Sequence, residues 1–133
     1  MKTAIAKRWV EALRSGKYKQ GKEYLKRGNK YCCLGVLCDL YLTDKKKEWR
    51  VNNEGTEPFY TCEKSEGALP TKVMKWAKIP DDTSVSDQVA IHHMEEGDKY
   101  DEVITLVEAN DTEGYDFEQI AKLIETEFLT DNE

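Results

Sequence analysis

The sequence predicts an α+β fold in one compact domain, and three observations carry that expectation. Apolar residues recur at helical spacing near both ends of the chain. A nearly continuous apolar stretch lies between them, and β-rich segments separated by turn residues follow it. The 133 residues suffice for one core, spanning 1–133, and 3 Trp, 7 Tyr and 3 Phe argue against a disordered chain. No apolar run approaches the ~18 residues that a membrane span needs, so no membrane partner is expected.

Each element has its own reason. Ile5, Trp9 and Leu13 repeat every four residues, which predicts an amphipathic helix from about Thr3 to Arg14, stopped by Ser15-Gly16. The polar and aromatic stretch Lys17–Leu25 reads as a loop or short irregular strand, and Lys26–Lys30 as a turn. Tyr31–Leu42 is apolar nearly all round, the mark of a buried central helix that ends in solvent at Lys45-Lys46-Lys47. Trp49–Val51 and Phe59–Cys62 flank the turn residues Asn52–Gly55, which predicts a β-hairpin. Leu69-Pro70-Thr71 opens a short helix carrying Val73, Met74, Trp76 and Ala77, stopped before Pro80.

Gln88–Met94 and Glu102–Val107 read as a second strand pair, although Val85, Val89 and His92-His93 also fit helical spacing. In the last helix, Asp116 and Gln119 form a capping box ahead of Ile120, Leu123, Ile124 and Phe128. Two amphipathic terminal helices around a buried central one, with one or two antiparallel hairpins, are therefore expected.

Charge divides the chain. Residues 1–50 hold 14 Lys+Arg against 5 Asp+Glu, a balance of +9; residues 51–133 hold 6 against 21, a balance of −15. Within the basic half, Arg14, Lys17, Tyr18, Lys22, Tyr24 and Arg27 interleave cations with phenol rings, and Trp49 and Arg50 extend the set. Such a mixture suits a small anionic ligand carrying a base: ammonium and guanidinium groups neutralise phosphate, and a ring offers a stacking face. The default expectation for the same residues is a solvated lysine face, with the tyrosines covering the core. A net charge of −6 makes a long nucleic acid a poor partner, because the acidic remainder repels phosphate. The acidic half could instead occupy a basic groove on another protein, and opposite poles would favour self-association into a homo-oligomer.

Catalytic and metal motifs are weak. Charge interrupts the N-terminus too early for a secretory signal, which points to the cytoplasm and to reduced thiols. Cys32, Cys33, Cys38 and Cys62 lack Cys-x-x-Cys spacing and read as small buried hydrophobes rather than zinc ligands. His92 and His93 are adjacent and cannot readily act on one atom, and a Cys62–His92 pair has no local mark of a nucleophile. No cofactor is implied.

Arg14–Gly21, Lys30 with the core Tyr31-Cys32-Cys33-Leu34-Gly35-Val36-Leu37-Cys38-Asp39-Leu40, Leu69-Pro70, and Asn110-Asp111 leading to Phe117–Glu125 together resemble a family of small proteins widespread in bacteriophages and prophages. The likeness spans most of the chain, is most specific at the cysteine-rich core and loosest at residues 80–105, where this chain has a longer acidic stretch. It implies an accessory protein of the host cytoplasm that acts by binding. Combined with the cation–tyrosine segment, it leads to an expectation of nucleotide sequestration: a non-catalytic counter-defence protein holding a nucleotide immune signal. The alternatives are an acidic inhibitor of a host defence protein, with nucleic-acid mimicry as one route, and a nucleotide hydrolase.

Overall fold

The computed structural model of the chain describes residues 1–53, 55–79, 90–93 and 102–129. Helix α1 spans Thr3–Arg14 and buries Ile5, Ala6, Trp9, Val10 and Leu13 along one stripe. Ser15 caps it, and Gly16 leaves it in the left-handed region at φ +78°. Strands β1 (Lys19–Gln20), β2 (Lys26–Arg27) and β3 (Lys30–Tyr31) follow, then α2 (Cys33–Lys45), β4 (Arg50–Asn52), β5 (Phe59–Thr61) and α3 (Thr71–Ala77). The chain continues through β6 (Ala90–His93), β7 (Glu102–Thr105), α4 (Leu106–Asp111) and α5 (Phe117–Leu129). The architecture is α+β.

The first five strands form one sheet in the order β1-β3-β2-β5-β4, parallel only between β1 and β3. This exceeds the one or two hairpins expected. The segment Lys26–Lys30 is more than a turn: a two-residue connection, Gly28-Asn29, joins paired strands, and their cross-strand pairing to β5 is invisible to local patterning. The expected hairpin holds, with Val51 opposite Tyr60, although Glu54 of its connection lies outside the described residues. The second strand pair also holds, Ile91 opposite Ile104, while Gln88, Val89 and Met94, like Val85 and Pro80, lie outside the described residues. The strand expected to run to Val107 ends at Thr105, because Leu106 begins α4, a helix that the sequence reading omitted.

Helix α2 begins two residues later than the apolar run, at Cys33, since Tyr31 is taken up by β3. Every residue from Cys33 to Cys38 is buried, and the helix has no polar face over that stretch. Its first carbonyl, that of Cys33, accepts a hydrogen bond from Trp9 Nε1 at 3.0 Å, locking α1 to α2. The capping box closes α5: Gln119 N–H donates to Asp116 Oδ1 at 2.8 Å, and Asp116 N–H donates to Gln119 Oε1 at 3.0 Å. All four cysteines are free and buried.

Close approach at Gly35 positions everything that follows. A β-carbon there would land on the carbonyl of Leu25, so the loop before β2 can lie against α2 only because residue 35 has no side chain. Gly35→Ala should therefore displace backbone and cost ~3 kcal/mol or more, near the top of the range for overpacking a core. Thermal unfolding followed by circular dichroism reads that loss; a melting temperature within a degree of the parent would contradict it.

Candidate functional site

The loop between β1 and β2 is held on both sides. Gly21 N–H donates to Tyr31 O at 2.7 Å, Leu25 N–H to Glu66 O at 2.7 Å, and Glu23 N–H to Asp111 Oδ2 at 3.1 Å. Gly21 lies so close to β3 that a β-carbon would stand 2.8 Å from Lys30 Cβ. Beneath the loop sits Asn110, 1% exposed and the only fully buried polar side chain among the described residues. Its Oδ1 accepts from Gln20 Nε2 at 2.9 Å and from Cys33 N–H at 3.3 Å; its Nδ2 donates to Gly21 O at 2.8 Å and to Asp111 Oδ1 at 2.7 Å. A buried amide with all its capacity used satisfies the desolvation cost and fixes its surroundings.

The loop and the β2–β3 hairpin enclose a cleft of about 340 Å³. Lys22, Arg27 and Lys30 line it with positive charge, Tyr24 and Gln20 complete the wall, and Glu57 enters from the connection before β5. Arg27 lies over the Tyr24 ring at 5.0 Å, and Tyr24 packs against Phe59 with ring centroids 5.1 Å apart. Arg27 Nε is buried without a hydrogen-bond partner. Glu57 Oε1 stands 3.4 Å away, near enough for ion pairing but outside hydrogen-bond geometry.

Three of the eight residues singled out in the sequence thus converge: Lys22, Tyr24 and Arg27. The others do other things. Arg14 is tied to α5, donating to Glu125 at 2.9 Å through both terminal nitrogens and to Glu118 at 2.6 Å through Nε, so the acidic tail neutralises it. Tyr18 donates its hydroxyl to Asp39 Oδ2 at 2.6 Å, and Trp49 Nε1 donates to Asp39 Oδ1 at 2.9 Å. Tyr31 stands edge-on between those rings, 4.9 Å from Tyr18 and 6.2 Å from Trp49. Lys26 Nζ covers the Tyr60, Tyr31 and Trp49 rings at 4.3, 5.2 and 5.9 Å, so the protein's own cation occupies this aromatic group. Burial and then Asp39 push the Tyr18 hydroxyl upward, keeping it a neutral donor. Lys17 and Arg50 are exposed, outside the cleft.

Lys30, Gln20 and Glu57 are site residues that the sequence reading missed. Lys30 was legible as part of the basic run; Glu57 was not, because only the pairing of Arg27 with Phe59 brings it near.

A wider groove of about 560 Å³ adjoins the cleft, with Tyr24 in the wall of both. Glu23, Glu66 and Lys64 line it. It shares Glu23, Gly67 and Ala68 with a third hollow of about 230 Å³ that reaches Cys32, Asn110 and Asp111 at the start of α2. Burial pushes the Cys32 thiol up to about 11, so it stays protonated and a poor nucleophile. Cys62 is buried in the core, and the side chain of His92 lies outside the described residues. Among the described residues, no group of His, Cys, Asp or Glu could hold a metal ion. Glu23 and Lys64 sit at φ 72° and 71°, and Glu63 at 48°, so non-glycine backbone is held left-handed around this groove.

Residues 1–128 match a family model described as a domain of unknown function, DUF8296. The chain belongs to the DUF8296 family. No curated protein and no solved structure matches it.

Glu63 supplies a pH test of the same region. Lys47 at 2.9 Å and the Tyr41 hydroxyl at 2.8 Å hold its carboxyl down at about 2. A lowered folded-state value contributes stability above the unfolded carboxyl range, near 4.5, and that contribution disappears as pH falls toward 2. Melting temperature should accordingly drop between pH 5 and 2, and Glu63→Gln, less stable at pH 7, should converge on the parent near pH 2. Parallel curves for the two proteins would contradict this assignment.

Proposed function

We propose that the protein binds a small phosphate-bearing nucleotide and holds it without altering it. The convergence of Lys22, Arg27 and Lys30 on one concave cleft carries the reading. Three cations against the single carboxylate of Glu57 leave the cleft electropositive in a chain of net charge −6, and an anion is the ligand such a cleft attracts. The exposed Lys30 and Lys22 supply charge, while the Arg27 guanidinium can engage two phosphate oxygens at once. Tyr24, braced by Phe59, presents a ring at the edge where a base or sugar would follow the phosphate.

The resemblance to small phage and prophage proteins gives this binding a purpose. Sequestration inside the bacterial host would remove a nucleotide signal of immunity, and a binding role needs no nucleophile or metal. The acidic-inhibitor alternative has less to work with, since Arg14 already pairs with Glu118 and Glu125 of α5. Hydrolysis would require an activated group, and burial keeps both thiols at the third hollow, Cys32 and Cys33, protonated.

Titration calorimetry with ADP, a cyclic mononucleotide and ADP-ribose tests the proposal. Saturable binding that weakens with added salt, with the ligand recovered intact, is the expected result. Arg27→Ala and Lys22→Ala should each weaken it about tenfold or more while unfolding at the parent temperature, the scale of a lost charge-assisted contact. Heat-silent titrations with all three ligands would sink the reading, and released product would turn it into an enzyme.

A further inference from the structure

The two concavities that Tyr24 separates carry opposite charge. On one side stand Lys22, Arg27 and Lys30 against Glu57 alone; on the other, Glu23 and Glu66 against Lys64 alone. The hollow beyond adds Asp111 to Glu23. The loop Gly21–Leu25 that divides them is fixed by backbone bonds to β3 and to Glu66, so this partition belongs to the fold and not to chance side-chain positions.

We infer that Glu23 and Glu66 determine ligand specificity: the protein selects a nucleotide whose phosphates all lie at one end, and rejects one carrying phosphate at both. The inference rests on the anion-binding reading of the basic cleft. A phosphate chain enters among Lys22, Arg27 and Lys30, and the sugar and base cross Tyr24 into the groove. There, the carboxylates accept hydrogen bonds from hydroxyl and exocyclic amino groups, while Lys64 lies beside them. A second phosphate in that groove would meet two like charges, the repulsive element by which a site discriminates between ligands of similar size. The left-handed backbone at Glu23 and Lys64 places both side chains on the groove wall despite its local cost.

ADP and adenosine 3′,5′-bisphosphate separate the cases, because they carry the same number of phosphates at one end and at two. The parent protein should bind ADP at least about tenfold more tightly, the scale of one avoided like-charge contact. The double variant Glu23→Gln/Glu66→Gln should retain its melting temperature and narrow that gap several-fold, as ADP loses its carboxylate contacts and the bisphosphate no longer meets like charge. If ADP binds but the bisphosphate binds equally well, or if the double variant leaves the ratio unchanged, the specificity role is overturned and the basic cleft stands. If neither ligand binds the parent or the variant, the cleft reading falls and takes this inference with it.

Discussion

Asn110 is the constraint on which the rest of this structure depends. One buried carboxamide joins Gln20 of β1, Gly21 of the loop, the first amide of α2 and its own neighbour Asp111. Four hydrogen bonds to a group with no access to water leave little freedom, because breaking any of them strands a polar atom in the core. Gly35 works with it from the other direction, by letting Leu25 rest directly on α2. Between these two contacts the loop has one place to lie. The basic cleft on one flank and the acidic groove on the other are consequences of that placement.

Among the described residues, several ion pairs cross between the basic and the acidic half of the chain. Arg14 is spent on Glu118 and Glu125, Lys47 on Glu63, and Arg27 in part on Glu57, each linking the basic half to the acidic one. These pairs are partly exposed, and each is worth little by itself. Among the described residues, Lys22 and Lys30 are cations of the cleft that no ion pair of this kind ties down.

Helices α1, α2, α3 and α5 were legible in the sequence because their periodicity is a local property, whereas the six-residue α4 was not. Ile5, Trp9 and Leu13 announce α1, the Asp116–Gln119 pair announces the start of α5, and the unbroken apolar run announces a buried α2. The sheet was only half legible, since two-residue strands such as Lys26–Arg27 have no pattern of their own and exist through partners far along the chain. The same limit governed the site. Cations and rings between residues 14 and 31 marked the right region, yet their neighbours decided their roles: Asp39 claims Tyr18 and Trp49, and α5 claims Arg14. Asn110 carries no local pattern that sets it apart from other polar residues, and only its burial reveals it as a fastener.

Hydrogen exchange on the parent protein and on Asn110→Ala tests this account most directly. Loss of the carboxamide should strip protection from the amides of Gly21, Glu23 and Cys33 while α1 and α5 keep theirs, which would show that the loop's other contacts do not hold it without that side chain. Unchanged exchange at those three amides would mean that the loop is positioned by something else, and that the clefts on its two flanks owe nothing to Asn110.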